Sequence, residues 1–527
     1  MEMEICEYLV HKSLQRLGYR KCYQRRPNNG IMQTISREER TKRDQELLKQ
    51  LPKIPVPSLE ASLANYLDYA RVISDDATYL ETKKVTERFR TNEGPKLQQL
   101  LEQHANKSEN WHNDFWLNDM YLNIRLALPV NSNPAYMFPM QNFADTEDMI
   151  RYAAMTICGA YTFKENLDSR KLEIDRSTGK QGGQPMCMAQ YYRMFSSFRY
   201  PVKDRDQLET ATHDILREGT EQIVVMCKDQ AYIVKTVVNG SRLPIPDIAA
   251  QLRQVIEQAR RYEGFDIPVG IITSADRDKA ARGYEELCKT PENAQNIADI
   301  KSSAFVVCVD SALNISNPTQ EQQLHHLLHG SGIAHSSTNR WFDKTNQFII
   351  STDGIVGMNF EHSVAEGIVL VNCAETTLKF IDEHKHKKAI TDDKITVIEQ
   401  PRRLNWTVSP TLYEIIEECK HDFNKLVKDT QLKVFHFTDY GKSYPKSKKC
   451  SPDAYIQLIL QLAHFRQHGY LVSTYESAST RRFRLGRVDN IRAAHGATLA
   501  WARIMHDSAA NNVNCCNLFL KHFFQQT

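Results

Sequence analysis

The sequence predicts an α/β fold in which mixed β-sheets are flanked by helices and the chain forms more than one packed unit. Between about residues 220 and 310, short apolar runs alternate with segments of helical periodicity, and the alternation restarts after about residue 405. The runs are continuously apolar, as expected for a sheet that is buried on both faces. A chain of 527 residues is also too long for one ordinary hydrophobic core.

The composition excludes several classes of protein. Hydrophobic residues make up 41% of the chain and charged residues 25%, which is typical of a soluble globular protein. The net charge of +3 gives no overall attraction to nucleic acid, and we find neither a secretory signal nor an apolar run that could span a bilayer. The 12 cysteines contain no CxxC pair, so we expect reduced thiols in the cytoplasm and no metal site.

Helices and strands are predicted from hydrophobic periodicity and from capping and turn residues. Residues 1–45 are charged, and we expect a flexible N-terminal extension. Prolines keep residues 51–57 extended, and Ser58 begins the first predicted helix. Further predicted helices cover residues 79–89, 96–105, 146–162, 248–262, 276–288, 410–427 and 452–467. The predicted strands cover residues 222–226, 231–234, 269–273, 304–309, 347–350, 355–360, 432–437 and 470–474.

His362 follows a predicted β-hairpin. Residues 347–350 and 355–360 form its strands, and the turn pair Asp353-Gly354 joins them. A histidine just beyond such a strand can face a cleft while it is held rigidly, which suits a general base. On local sequence alone, a structural histidine that caps the strand is the simpler interpretation.

A basic loop precedes the helix predicted over residues 452–467. Its four lysines are Lys442, Lys446, Lys448 and Lys449. Ser451 is a good N-cap, Pro452 suits the first helical position, and Asp453 favours the positive end of the helix dipole. Lysines beside a helix N-terminus can bind phosphate, but a solvated basic loop explains the same pattern.

Two other segments carry polar side chains in numbers. Residues 473–483 contain Tyr475, five Ser or Thr hydroxyls and two arginines, which could bind a polar ligand or complete turns. An HHxxH run places His325 and His329 on one helix face, where a metal pair is geometrically feasible. The run lacks the carboxylate of the HExxH motif, so we expect solvated histidines on a helix face.

Taken together, these segments resemble the carnitine/choline acyltransferase family over about residues 51–505. The matching segments are residues 51–57 (Leu-Pro-Lys-Ile-Pro-Val-Pro), 339–344 (Asn-Arg-Trp-Phe-Asp-Lys), 361–363 (Glu-His-Ser), 441–446, 451–454 and 474–479 (Thr-Tyr-Glu-Ser-Ala-Ser). The resemblance implies two similar CoA-dependent acyltransferase-type domains with an active-site tunnel at their interface. We expect residues 46–110 together with 405–527 to form the CoA-binding domain, and residues 111–404 to carry the catalytic histidine.

The resemblance also implies a role for each candidate residue. His362 matches the base that takes the proton of the acceptor hydroxyl as its oxygen attacks the acyl-CoA thioester. The residues that match CoA-binding positions are Lys442, Lys446, Lys448, Lys449, Ser451, Pro452, Asp453 and Arg481. The residues that match the acceptor pocket are Tyr475, Ser477, Val488 and Asn490. An aromatic wall that includes Tyr475 would attract a quaternary ammonium through cation–π interaction.

Residues 488–490 (Val-Asp-Asn) resemble the branch of the family that acetylates choline. In carnitine-specific members this segment resembles Thr-Asp-Thr, whose first threonine helps to hold the carnitine carboxylate. Choline has no carboxylate, so Val488 leaves no polar group unpaired and discriminates against carnitine. The resemblance therefore implies acetyl transfer from acetyl-CoA to choline by a cytoplasmic monomer, as expected in cholinergic neurons, without a nucleic-acid partner. The alternatives are carnitine acyl transfer and a catalytically inactive chain that only binds CoA.

The sequence after about residue 510 departs from the family pattern. We find no Ser-Thr-Ser segment of the kind that polarises the thioester oxyanion in this family. We therefore expect a C-terminally truncated CoA-binding domain with an exposed sheet edge or apolar face.

Overall fold

The chain divides into two compact units. The computed structural model describes residues 37–178, 182–211, 219–262, 267–386 and 399–507. The first unit comprises residues 1–50 and 115–434, and the second unit comprises residues 51–114 and 435–527. The extension predicted for residues 1–45 lies outside the described residues up to residue 36, and the chain from Arg37 onward is helical.

The elements are numbered in chain order. The strands are β1 (Ala135–Met137), β2 (Ser197–Tyr200), β3 (Gln207–Thr210), β4 (Glu221–Cys227), β5 (Gln230–Val238), β6 (Ser241–Arg242), β7 (Val306–Asp310), β8 (Asn346–Ser351), β9 (Val356–Phe360), β10 (Arg402–Arg403), β11 (Ser477–Ser479) and β12 (Val488–Asn490). The helices are α1 (Arg37–Lys49), α2 (Leu59–Ile73), α3 (Asp76–Thr91), α4 (Glu93–Lys107), α5 (Trp111–Leu117), α6 (Thr146–Asp168), α7 (Ile245–Arg261), α8 (Arg277–Leu287), α9 (Pro291–Ser302), α10 (Gln320–His329), α11 (Gly367–His384), α12 (Pro410–Asp429), α13 (Ser443–Ser447), α14 (Pro452–His468) and α15 (Gly496–His506). A π-helical turn spans Asn118–Leu122, and short 3-10 helices span Tyr191–Arg193 and Val269–Ser274.

A mixed sheet organises the first unit. Within the described residues it has eight strands in the order β1-β9-β8-β7-β4-β5-β10, with β6 paired to β5. The pairs β4–β7 and β7–β8 are parallel, and the outer pairs are antiparallel. Successive side chains of a strand point to opposite faces, and β4 accordingly sends Val225 into one buried apolar cluster and Val224 into another. The prediction of a largely buried mixed sheet is confirmed.

The predicted hairpin before His362 is also confirmed. β8 and β9 pair in antiparallel register, and the backbone N–H of Ser351 donates to the Ile355 carbonyl at 2.9 Å across the turn. Gly354 has φ +89°, and a Cβ atom there would lie 1.9 Å from the Gln141 carbonyl oxygen. The turn therefore requires glycine, and it directs β9 so that His362 follows two residues after the strand.

The second unit is mainly helical in its described part. Its apolar cluster includes Val72 of α2, Leu458 and Phe465 of α14, and Trp501 of α15. β11 and β12 form an antiparallel pair. The predicted N-cap Ser451 accepts a hydrogen bond from Ala454 N–H at 3.4 Å, so the predicted start of α14 is confirmed.

Three predicted strands are wrong. Residues 269–273 form part of a buried 3-10 helix, in which a Cβ atom on Gly270 would lie 2.5 Å from a backbone oxygen. A short apolar run indicates burial, but it cannot separate a strand from another buried conformation. Residues 432–437 and 470–474 pair with no strand in the described chain, and Phe435 is 79% exposed. An extended segment without a partner has no ladder of hydrogen bonds to stabilise it.

An ion pair fixes helix α1 to the rest of the first unit. Asp44 of α1 forms a two-pronged ion pair with Arg170, with N–O distances of 2.6 and 2.7 Å, which ties the helix to the end of α6. Among the described residues, no helix is long and apolar enough to cross a membrane.

Candidate active site

His362 is held at its Nδ1 atom by Tyr121. The π-helical turn places the Tyr121 hydroxyl oxygen 2.9 Å from His362 Nδ1. The two rings are nearly parallel, with centroids 5.5 Å apart and an interplanar angle of 19°. If Nε2 is the basic atom, Nδ1 carries the ring proton and donates it to the tyrosine oxygen. The contact therefore fixes the ring orientation and is compatible with the tautomer that general-base catalysis at Nε2 requires.

The other ring nitrogen of His362 faces Glu366. A Glu366 carboxylate oxygen lies 3.9 Å from His362 Nε2. Glu366 directly precedes α11, and its backbone N–H donates to the Gln190 side-chain oxygen at 2.8 Å. The carboxylate can stabilise a positive charge on the imidazole. Because 22% of the His362 side chain remains exposed, a ligand can reach the ring.

Glu361 and Ser363 fix the backbone on both sides of His362. The buried Glu361 carboxylate accepts hydrogen bonds from the Ser363 backbone N–H at 3.1 Å and from its hydroxyl at 2.5 Å. It also accepts a bond from Arg199 Nη1 at 3.2 Å. These hydrogen bonds fix the backbone of residues 361–363, and they therefore restrict the movement of the His362 ring.

A buried ionic network lies behind this turn. Arg199 and Arg277 each bond the same oxygen of Asp206, both at 2.7 Å from Nε. Arg277 also bonds Asp343 at 2.7 Å, and Tyr284 donates its hydroxyl proton to the second oxygen of that carboxylate at 2.8 Å. Each buried charge therefore has a partner of opposite sign, as burial requires.

The 339–344 segment of the family resemblance is structural in its first part. Arg340 makes a bidentate pair with Asp310, at 2.8 and 2.7 Å, and His326 Nε2 lies 2.8 Å from the same carboxylate. Burial is the largest single influence on the Asp310 carboxyl and raises its pKa, but Arg340 and His326 together hold that pKa well below its ordinary value. The contact between His326 and Asp310 joins α10 to the end of β7.

The HHxxH run differs from its prediction. His326 and His329 are buried, so the expected solvated face is wrong. Ser331 N–H donates to His329 Nδ1, and His329 Nε2 lies 2.8 Å from His325 Nδ1. Burial and the neighbouring His325 lower the pKa of His329 to about 3. The described part of the chain contains no group of three or more His, Cys, Asp or Glu side chains that could hold a metal ion.

The predicted CoA-binding residues belong to the second unit. The side chains of Lys442, Lys446, Lys448, Lys449 and Asp453 are exposed, and those of Ser451 and Pro452 are half-buried. Lys442 and Lys446 stand one helical turn apart, at the start and within the short helix α13. Arg481 is buried, so unlike the lysines it does not present its charge to solvent.

The predicted acceptor residues also belong to the second unit. Tyr475 is 39% exposed and lies just before β11. Ser477 stands opposite Asn490 in the β11–β12 register, and Val488 stands opposite Ser479. Val488 is buried, whereas Asn490 is half-buried and uses its side-chain oxygen to accept from the Glu476 backbone N–H at 3.0 Å.

Three residues around the histidine were not predicted from the sequence: Tyr121, Arg199 and Glu366. Glu366 lies four residues after His362, so the spacing of a histidine and a carboxylate was visible in the sequence. Tyr121 is 241 residues from His362, and Arg199 is 162 residues from Glu361. No local pattern marks residues that meet over such separations.

Comparison with known proteins defines the family of this chain. The profile of the family "Choline/Carnitine o-acyltransferase" matches residues 54–525, further along the chain than the predicted resemblance. The chain is 38% identical to human choline O-acetyltransferase over 91% of its own length and 64% of that protein. It is 39% identical to the choline O-acetyltransferase of Sus scrofa over 87% of its length and 72% of that protein. It is also 34% identical to human carnitine O-acetyltransferase, over 87% and 72% of the two chains.

The chain belongs to the choline/carnitine acyltransferase family, as the sequence motifs predicted. It spans between 64% and 72% of the lengths of the three relatives named above.

Proposed function

We propose that this chain transfers an acetyl group from acetyl-CoA to choline, with His362 as the general base. The geometry that supports this is the contact of His362 Nδ1 with Tyr121 and of Nε2 with Glu366. As the choline oxygen attacks the thioester carbonyl, Nε2 takes the hydroxyl proton, the C–O bond forms and the C–S bond breaks. The imidazolium then gives that proton to the CoA thiolate, so the base is regenerated without an acyl-enzyme.

The two neighbours of His362 have separate roles in this cycle. The Tyr121 hydroxyl oxygen accepts a hydrogen bond from Nδ1–H throughout, which keeps the lone pair on Nε2. Glu366 stabilises the imidazolium that exists between the two proton transfers. Neither group exchanges a proton with the substrates, so their replacement should lower kcat and leave the binding of both substrates nearly unchanged.

The test of the base compares His362→Ala with His384→Ala. His384 is a half-buried histidine at the end of α11, the helix that Glu366 precedes. We expect release of CoA thiol from acetyl-CoA and choline in the parent chain and in His384→Ala, and none above background in His362→Ala. Turnover of the parent chain that does not exceed that of His362→Ala would refute the proposed activity.

For the acyl donor, we propose that Lys442 and Lys446 bind the 3′-phosphate of acetyl-CoA. The family uses acyl-CoA as co-substrate, and the two exposed ammonium groups stand one helical turn apart and shortly before the N-terminus of α14. The double variant Lys442→Ala/Lys446→Ala should raise KM for acetyl-CoA and not for 3′-dephospho-acetyl-CoA. Lys96→Ala, an exposed lysine elsewhere in the second unit, should change neither value. An equal rise with both donors would argue against the phosphate contact.

For the acceptor, we propose choline rather than carnitine. Two relatives named above are choline O-acetyltransferases, and the buried Val488 stands where carnitine-specific members resemble threonine. A buried apolar side chain offers no partner to a carboxylate, so carnitine would lose a hydrogen bond there. Carnitine is the second candidate, because the chain is also 34% identical to human carnitine O-acetyltransferase. A kcat/KM for carnitine above that for choline would select it.

A further inference from the structure

The buried guanidinium of Arg199 joins the two segments that hold His362. Its Nη2 donates to the Tyr121 carbonyl oxygen at 2.5 Å, and its Nη1 donates to the Glu361 carboxylate at 3.2 Å. The Tyr121 hydroxyl contacts His362 Nδ1, and Glu361 fixes the turn through Ser363. One side chain thus controls both the ring contact and the backbone that carries the ring.

We propose that Arg199 is a positioning residue for the general base. The proposal rests on the proposed function, in which the orientation of His362 limits the rate. A guanidinium is planar and presents its donors at fixed angles, so it sets the spacing between the Tyr121 carbonyl and the Glu361 carboxylate. A lysine at this position keeps the charge, but its single ammonium cannot reproduce the two donors of the guanidinium at their fixed spacing.

Other hydrogen bonds fix the position of Arg199 itself. Asp206 accepts from Arg199 Nε at 2.7 Å, and the Arg199 backbone N–H donates to the Asp343 carbonyl at 2.9 Å. Arg199 is only 1% exposed, so water does not compete for its donors. A guanidinium held in this way fixes the positions of both of its acceptors, the Tyr121 carbonyl and the Glu361 carboxylate.

Arg340 is a matched control in a separate buried ion pair. It is fully buried, and its guanidinium bonds the Asp310 carboxylate at 2.8 and 2.7 Å. It also donates to the Asn339 and His326 carbonyl oxygens, so these acceptors differ from those of Arg199. A variant of Arg340 therefore reports what the loss of a buried guanidinium does to the fold alone.

The first experiment compares Arg199→Lys with Arg340→Lys in steady-state kinetics. We expect both variants to lose stability, because each leaves buried acceptors without a donor. Only Arg199→Lys should lower kcat, by about 10- to 100-fold, since small misplacements of a catalytic group cost on that order. KM for acetyl-CoA and for choline should stay within about twofold in both variants. An equal fall of kcat in the two variants, or a loss carried entirely by KM, would overturn the proposal.

The second experiment needs no turnover. Chains with 15N-labelled histidine rings are recorded by NMR, and His362→Ala identifies the resonances of His362. The parent chain and Arg340→Lys should show the tautomer with the proton on Nδ1, and Arg199→Lys should show a mixture of both tautomers. An inactive parent chain would refute the proposed function, but it would not affect the tautomers that NMR detects. An unchanged tautomer in Arg199→Lys would refute the positioning role, whether or not the parent is active.

Discussion

Replacing Glu366 with glutamine removes one negative charge 3.9 Å from His362 Nε2 and keeps the size of the side chain. In the proposed mechanism the ring becomes a cation as it takes the choline proton. At 3.9 Å, this attraction amounts to about 4 kcal/mol at an effective dielectric constant near 20 and about 1 kcal/mol in bulk water. The two side chains are 22% and 13% exposed, so the pair lies between these limits. Since about 1.4 kcal/mol corresponds to a factor of ten in rate, we expect kcat to fall by about 10- to 100-fold.

The assay is the initial rate of CoA thiol release at saturating acetyl-CoA and choline. Glu383→Gln removes an exposed carboxylate from the far end of α11 and serves as the control, because its charge is screened by solvent. We expect the control to retain the kcat of the parent chain within about twofold. A Glu366→Gln variant with the parent kcat would show that Glu366 does not stabilise the charged base. So would a variant whose loss lies wholly in KM.

Three further predictions concern stability. Ser451→Ala should lower the free energy of unfolding by about 1 kcal/mol in urea titrations, because Ala454 N–H loses its cap. Gly354→Ala should lower it by about 1 to 3 kcal/mol, since φ is +89° and the added Cβ would collide with the Gln141 carbonyl. Burial lowers the pKa of His329 to about 3 in the folded chain, against about 6.5 in the unfolded chain, so stability is lost as the pH falls from 6.5 towards 3. His329→Gln should remove that loss, which amounts to at most about 1.4 kcal/mol per pH unit in the difference between the two unfolding curves.

The first two of these predictions have control variants, and all three have a contradicting result. Ser473→Ala and Gly441→Ala change exposed positions, and a Cβ at Gly441 would meet no atom within 4 Å, so neither should alter stability. Full stability of Ser451→Ala or Gly354→Ala would contradict the cap or the turn. For His329, the decisive quantity is the pH dependence and not the stability at one pH. Parallel curves for the parent chain and His329→Gln would contradict the depressed pKa.

The sequence predicted those parts of the structure that depend on local pattern. The hairpin of β8 and β9 is set by alternating apolar residues and by the Asp353-Gly354 turn, which few other residue pairs could form. The caps at Ser58 and Ser451 each depend on a hydrogen bond to a backbone N–H three residues further on. The residue type at the cap is therefore enough to predict the start of the helix. The position of His362 just beyond a strand follows from the same local rules.

The environment of His362 could not be predicted in this way. Tyr121 lies on a π-helical turn that has no marked sequence signal, and Arg199 lies on β2, which forms a short two-stranded sheet with β3. Residues 269–273 were predicted as a strand because they form a short apolar run. They are apolar because they are buried in a 3-10 helix, not because they pair in a sheet. Both failures have one cause: hydrophobic periodicity reports how buried a segment is, but it does not report which distant segment covers it.

The buried network behind His362 is difficult to explain by stability alone. Burying the charges of Arg199, Arg277 and their carboxylate partners has a large desolvation cost, and well-packed apolar side chains of similar volume often stabilise a fold as well or better. Apolar side chains could not, however, hold the Tyr121 carbonyl and the Glu361 carboxylate at a fixed spacing, because they offer no directional donor. The proposed positioning role therefore accounts for the feature that the stability argument leaves open, namely why a forked cation occupies this point. It follows that an apolar substitution that restored full stability at Arg199 should still leave a slow enzyme.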